Sequence, residues 1–373
     1  MRILILSCNT GEGHNSAAKA IAEVLASRGV ECEITDALSF WSPKISKFIC
    51  DWHVRLYKRA PALFCAGYKM AEEHDPDPED VSFLYTLMSQ GAQRLYEAIV
   101  QGHYTLVICT HVFASLIMRR VQRDNPEAPQ HYFVATDYTC SPYVAESQAT
   151  MYMIPDEKLT EEFARSGIPR ERIVATGIPV RQIFFQPRQQ AECRRALGIP
   201  TDRKVILLMC GSMGCGPMKR LAKRITELLP EKGMLVAICG RNERLYRDLQ
   251  ELGELPNLRV VGFTREMPAY MDAADLMLTK PGGLSSTEAA AKRLPMIFVD
   301  AVGGCEGRNL EFYTRHRLAD TAGSVEALAQ LACATLGNPK RLAEMARTLQ
   351  INFPHNGAVE ICNLVQRRTE VRL

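Results

Sequence analysis

The apolar run Leu276-Met277-Leu278, followed by Pro281-Gly282-Gly283-Leu284-Ser285-Ser286-Thr287-Glu288, reads as a strand that empties through a glycine turn into a helix N-terminus. This corner limits the fold more than any other stretch, because strands alternating with helices belong to a parallel sheet wrapped by helices. It also leaves the first backbone N–H groups of the helix unpaired and aimed at an anion. Glu288 sits one turn further in, where it can accept hydrogen bonds from a sugar hydroxyl. A diphosphate with its ribose suits such a corner.

The same alternation runs along the chain. Strands are expected at Arg2–Ser7, Glu31–Asp36, Leu106–Thr110, His131–Thr136 and Met151–Ile154, then at Lys204–Cys210, Met234–Cys239, Leu258–Gly262, Leu276–Leu278 and Met296–Val299. Helices fill Asn15–Arg28, Ser82–Gln101, Val112–Arg123, Glu157–Ser166, Pro217–Leu229, Asn242–Leu252, Met267–Ala273 and Ser286–Lys292, with helices only after Ser324. At 373 residues the chain is too long for one ordinary core. Gly177-Ile178-Pro179-Val180-Arg181 and the polar stretch Gln186–Glu192 mark a junction. The expected fold class is α/β: two Rossmann-like doubly wound domains facing across a cleft, over residues 1–180 and 181–350. Residues 351–373 form a C-terminal helix expected to pack back on the first domain.

Composition excludes several classes. Hydrophobic residues make up 47% and charged residues 23%, as in soluble globular proteins, and a net charge of +3 is too small to imply nucleic acid. Thirteen cysteines are scattered through apolar runs without a C-x-x-C pair, which fits buried thiols in a reducing cytosol. No apolar stretch approaches the roughly 20 residues of a membrane span. A cytoplasmic protein, at most peripheral to a membrane, is the expectation.

Two further glycine loops follow strands. Gly11-Glu12-Gly13-His14-Asn15-Ser16 opens the first helix. A dinucleotide fingerprint would need glycine where Ser16 stands, although Asp36 lies about where a ribose-binding acid belongs. His14 at the helix start can act as a general base, or merely cap the helix. Gly211-Ser212-Met213-Gly214-Cys215-Gly216 lets a backbone approach phosphate closely but is no P-loop, since no Gly-Lys-Ser/Thr follows. With the Pro281–Glu288 corner it makes a two-sided diphosphate cradle. Phe263, in Gly262-Phe263-Thr264, offers backbone groups to a uracil edge while its side chain is expected in the core. Glu306 and Asn309, in Gly303-Gly304-Cys305-Glu306-Gly307-Arg308-Asn309, are sugar-hydroxyl partners or residues of a plain surface loop. Between Phe40 and Met70, Trp41, Phe48, Trp52, Tyr57, Phe64 and Tyr68 interleave with Lys44, Lys47, Arg55, Lys58, Arg59 and Lys69. Such a stretch suits docking on an anionic membrane, or is an ordinary helix pair with solvated lysines.

The Gly-x-Gly-His start, Thr136-Asp137, Gly177-Ile178-Pro179-Val180-Arg181, Gly211-Ser212-Met213-Gly214, Lys280-Pro281-Gly282-Gly283 with Thr287-Glu288, and the Glu306/Asn309 pair resemble, in order and spacing, the monogalactosyldiacylglycerol synthase and processive diacylglycerol glucosyltransferase group of glycosyltransferase family 28. This group is related to the lipid II-forming N-acetylglucosaminyltransferase and shares its GT-B fold. The resemblance implies inverting, metal-independent transfer from a UDP-hexose to a lipid hydroxyl, most simply diacylglycerol, at the inner face of the cell membrane. No cofactor and no metal ion are expected. By position, His14 is the base and Asp137 lies on the acceptor side. Ser212, Gly214, Gly283 and Ser285 hold the diphosphate, Phe263 brackets the uracil through its backbone, Glu288 binds ribose, and Glu306 and Asn309 contact the hexose. Trp41, Lys44, Lys47, Trp52, Lys58 and Arg59 fall in the region the family docks on membranes.

Two positions depart from the pattern. Cys305 stands where the family commonly has glutamine, with Ala301 and Gly303 in place of prolines, and Ser141 stands where plant relatives have histidine. Both bear on hexose and acceptor identity. A UDP-sugar epimerase of the UDP-GlcNAc 2-epimerase type and a nucleotide-sugar-binding protein without catalysis are the competing readings.

Overall fold

The computed structural model describes residues 1–9, 11–42, 44, 46–48, 66–70, 82–211, 216–253, 255–299, 301 and 303–370. They form two compact units: Met1–Gln182 with Val302–Cys305 and His355–Leu373, and Ile183–Ala301 with Glu306–Pro354. The expected Trp52, Lys58 and Arg59 of the membrane segment, and Ser212 and Gly214 of the second glycine loop, lie outside the described residues.

The first unit is built from β1 (Arg2–Ser7), α1 (Glu12–Ser27), β2 (Glu31–Asp36), α2 (Phe83–Met88), α3 (Ala92–Gln101), β3 (Leu106–Cys109), α4 (Val112–Asp124), β4 (His131–Val134), β5 (Met151–Ile154), α5 (Thr160–Arg165) and β6 (Ile173–Ala175). The strands pair in parallel in the order β2-β1-β3-β4-β5-β6. Strands β3, β4 and β5 are buried throughout, which is why, His131 of β4 apart, they read as apolar runs. The strand order reverses between β1 and β3, and ligands of such sheets bind beyond the strand carboxyl ends at that reversal. His14 follows β1 there.

The second unit contains α6 (Gln190–Leu197), β7 (Lys204–Met209), α7 (Met218–Leu228), β8 (Gly233–Ile238), α8 (Glu243–Gln250), β9 (Leu258–Val261), α9 (Met267–Ala273), β10 (Leu276–Thr279), α10 (Gly283–Ala291), β11 (Met296–Phe298), α11 (Cys305–Arg315, from Glu306 onward), β12 (Asp320–Thr321), α12 (Val325–Leu336) and α13 (Pro339–Asn352). Its parallel order, β12-β11-β10-β7-β8-β9, reverses between β10 and β7. Cys210 and Lys280 therefore follow neighbouring strand ends.

The last helix, α14 (Gly357–Glu370), belongs to the first unit. Its Ala358, Ile361, Cys362 and Val365 share a core with Ala18, Ile21 and Leu25 of α1. Arg28 donates to the side chains of Asn363 and Gln366, both at 2.8 Å. Each fully buried isoleucine, leucine or valine side chain in this layer contributes roughly 1.5–3 kcal/mol. Entry into α14 requires Gly357, since a Cβ there would lie 2.5 Å from the carbonyl oxygen of Gly177.

Several element boundaries differ from expectation. The helix expected over Ser82–Gln101 is two helices joined by the tighter turn Ser89–Gly91, at a glycine that weakens helix continuity. The polar junction stretch runs into α6, and the glycine-rich stretch after Val302, read as a loop, turns helical at Cys305. β6 is an edge strand of only three residues, two half-buried and one exposed, too short to stand out in the sequence.

Candidate active site

In the first unit the candidate site is organised by His14, the third residue of α1. The helix is capped by Gly11 in extended conformation with no side-chain hydrogen bond, so the histidine is not a cap. Its Nδ1 lies 2.8 Å from the Thr110 carbonyl oxygen and 3.0 Å from the Thr136 hydroxyl. A carbonyl oxygen only accepts, so Nδ1 carries the proton and Nε2 is the basic nitrogen. The Thr110 hydroxyl in turn donates to the His14 carbonyl at 3.2 Å, tying the helix start to the end of β3. Burial lowers the His14 pKa below 6.5, partly opposed by the Asp137 charge and the Thr110 carbonyl. The ring is thus neutral at pH 7, the state a general base needs.

His111 was not singled out from sequence. Its ring meets that of His14 edge-on, with centroids 4.5 Å apart, and its Nδ1 accepts the Phe113 N–H at 3.1 Å as the cap of α4. The available signal was a histidine directly between a buried strand and a helix.

The dinucleotide alternative does not survive. The Asp36 carboxylate accepts from Leu38 N at 3.2 Å, Asn9 Nδ2 at 3.1 Å and Ser46 Oγ at 2.5 Å. Asn15 bridges this group to the sheet, donating to Asn9 and accepting from Ser7. The acid closes a local network in place of a ribose.

Asp137 is half-buried directly after Thr136. Beyond it, Ser141 and Cys305, the two departures from the family pattern, prove to be neighbours: Ser141 Oγ lies 3.5 Å and Tyr68 Oη 3.1 Å from Cys305 Sγ. Burial and the Cys305 thiol push the Tyr68 hydroxyl well above its ordinary pKa, so it remains a donor. Gly304 permits this packing. Its φ is +78°, and a Cβ would meet the Tyr68 ring at 3.0 Å.

In the second unit, α10 starts at Gly283, three residues earlier than expected, with Gly282 as an N-cap that has no side chain to satisfy the first-turn N–H groups. Gly283 is buried, while Ser285 and Glu288 are half-buried. The neighbouring hydroxyls face inward: Ser286 Oγ donates to Gly282 O at 2.8 Å and Thr287 Oγ1 to Gly283 O at 2.7 Å. An anion at this corner would meet the backbone N–H groups and Ser285.

Two site expectations change here. Phe263 was expected to place its side chain in the core, but it is 57% exposed, with the Arg241 guanidinium 5.4 Å from its ring centroid. Asn309 was expected to contact the hexose, but it is fully buried and its Nδ2 donates to Pro281 O at 2.9 Å, bracing α11 against the turn before α10. Glu306 lies 3.7 Å from Lys280 Nζ, an ion pair that no local pattern signals because the partners stand 26 positions apart.

In the aromatic-basic segment, Lys44, Lys47 and Phe48 are exposed, whereas Trp41 packs against the first unit's core and its carbonyl accepts from Arg94 at 3.0 Å. Trp41 therefore follows the ordinary-helix reading and anchors the fold. Phe83, at 82% exposure, and Met70 are further exposed apolar side chains of the first unit. Among the described residues no helix is long and apolar enough to cross a membrane, and no three His, Cys, Asp or Glu side chains group as a metal site.

Residues 14–180 match the family model "Monogalactosyldiacylglycerol (MGDG) synthase" and residues 205–304 match "Glycosyltransferase family 28 C-terminal domain". A processive diacylglycerol beta-glucosyltransferase of Staphylococcus saprophyticus is 25% identical over 369 residues, spanning 97% of this chain and 91% of the relative. Among solved structures, Acinetobacter baumannii MurG is similar with TM-score 0.63 and 16% identity over 98% of this chain and 99% of its own. The UDP-GlcNAc 2-epimerase of Neisseria meningitidis, solved with UDP-GlcNAc, gives TM-score 0.60 and 14% identity over 98% of this chain and 100% of its own. At such identities the two structures establish a shared fold, the GT-B fold, and no more. With both halves matched by family models and the relative aligned almost end to end, the chain belongs to the monogalactosyldiacylglycerol synthase and diacylglycerol glucosyltransferase group of family 28 glycosyltransferases.

Proposed function

We propose that this chain is an inverting glycosyltransferase that moves a hexose from a UDP-sugar to the hydroxyl of diacylglycerol, without a metal ion and at an anionic membrane surface on the cytoplasmic side. The observation that carries this reading is the His14 ring, kept neutral by burial and fixed by the Thr110 carbonyl in the tautomer that presents Nε2 as a base. The acceptor hydroxyl gives its proton to Nε2 while its oxygen forms a bond to the anomeric carbon. The bond from that carbon to UDP breaks, and UDP leaves with the electron pair. Charge growing on the diphosphate is met by the N-terminus of α10 and its backbone donors. Ser285, Glu288 and Glu306 are assigned to phosphate, ribose and hexose. The curated relative's diacylglycerol activity supports the acceptor, and the exposed Lys44, Lys47 and Phe48 support peripheral docking.

The test is UDP release from UDP-glucose and UDP-galactose in chelator-treated buffer, with and without diacylglycerol in anionic vesicles. Release that depends on diacylglycerol is expected. His14→Asn should lower kcat by ~10²- to 10⁴-fold, the usual scale of general-base help, and leave UDP affinity in place. Full turnover in that variant would defeat the base assignment, and loss of UDP binding on chelation would defeat metal independence. The epimerase reading rests on fold likeness; conversion of UDP-GlcNAc without any acceptor would favour it.

A further inference from the structure

We propose that Lys280 is a positioning residue for the donor hexose, acting through Glu306. Lys280 follows β10 and opens the turn into α10, yet its residue is only 6% exposed. Its Nζ lies 3.7 Å from Glu306 Oε2, and the two side chains are 7% and 18% exposed. Three residues further along α11, Asn309 donates to Pro281 O. The helix that carries Glu306 is thus fixed to the β10–α10 turn twice, by a neutral bond that sets the backbone spacing and by a charge that acts on one carboxylate.

Stability alone gives a poor reason for this cation. A buried ion pair contributes little net stability, and an apolar side chain of the same volume often serves as well or better. Orientation gives a better one. A glutamate has three rotatable side-chain bonds, and a fixed charge beside one oxygen narrows its rotamers. At 3.7 Å the pair is longer than a hydrogen bond. A carboxylate has about four acceptor sites, so a tether of this length leaves the group able to accept from sugar hydroxyls.

The inference rests on the assignment of Glu306 to the hexose made above, and calorimetry with UDP and with UDP-glucose on the full chain separates the two. Wild type should bind both. Lys280→Met should bind UDP as wild type does but lose roughly ten- to a hundredfold in UDP-glucose affinity, the range of a charged hydrogen bond. In turnover the same variant should raise the donor KM more than it lowers kcat. Lys280→Arg should restore most of the loss, and Glu306→Gln should reproduce it. Equal losses for UDP and UDP-glucose, or no loss at all, would overturn the inference and leave the proposed function standing. Failure of the wild type to bind UDP would overturn both. Should Lys280→Met unfold, Lys280→Met/Glu306→Gln is compared with Glu306→Gln: equal UDP-glucose affinity supports the tether, and a further loss overturns it.

Discussion

The buried histidine of β4 makes a quantitative prediction. His131 is fully buried, with Nδ1 2.8 Å from Gln122 Oε1 and Nε2 2.9 Å from Ser115 Oγ. Gln122 Nε2 donates to Pro129 O at 2.8 Å, which turns its amide oxygen toward the ring. Nδ1 therefore carries the proton and Nε2 accepts from the Ser115 hydroxyl. Protonation would place a charge in a dry site, and burial lowers the pKa from 6.5 to about 3, partly opposed by a hydrogen bond to the Ser147 backbone. The unfolded chain keeps the ordinary value, so below pH 6.5 it binds a proton that the folded chain refuses. Stability is then full above pH 6.5 and falls as the pH drops toward 3, at about 1.4 kcal/mol per unit. Between pH 8 and pH 5 the loss from this one group is about 2 kcal/mol. Both tryptophans lie at positions 41 and 52, and Trp41 packs on the core of the same unit, so urea unfolding followed by tryptophan fluorescence reports that unit. His131→Gln is destabilised at pH 8, and its gap to wild type should narrow by about 2 kcal/mol at pH 5. A gap that stays constant across this range would refute the neutral-histidine argument.

Asp137 raises the His14 pKa, so Asp137→Asn should let it fall further and move the acid limb of the kcat/KM profile to lower pH; a limb that stays or rises would contradict the coupling. Arg194 is buried in the second unit, donating to Asp275 Oδ2 at 2.8 Å and to the carbonyls of Ala273 and Arg203, both at 2.9 Å. Arg194→Met should cost roughly 3–5 kcal/mol by leaving Asp275 buried without this partner, measurable by calorimetric unfolding. Reversing charge at Lys44 and Lys47 should weaken sedimentation with anionic vesicles, more at low salt than at high, and leave binding to neutral vesicles unchanged. Unaltered binding would return that stretch to the ordinary-helix reading.

The two parallel sheets were legible because buried parallel strands are continuous apolar runs, and Leu106–Cys109 or Leu276–Thr279 can hardly be anything else. The glycine corners were legible for a local reason too: a strand that ends at Ser7 or Thr279 must hand the chain directly to a helix. Where local signals conflicted, the sequence misled. Gly283 begins α10 and Cys305 begins α11, although glycine-rich stretches argue for loops; surrounding packing overrides such propensities. Phe263 looked like core and is exposed, since a single aromatic at the end of a strand carries no periodicity to say which side it faces.

The sequence by itself determined the fold class, the family, and that His14 stands at the start of the first helix, because each follows from residues close in the chain. The tautomer of His14 came from Thr110 and Thr136, the engagement of Asp36 from Asn9 and Ser46, and the meeting of Tyr68, Ser141 and Cys305 from three separate segments. The same holds for Lys280 and Glu306. Hydrogen bonds and charges act over a few ångströms of space whatever the separation along the chain. A pattern read residue by residue records who is present, and folding decides who is adjacent.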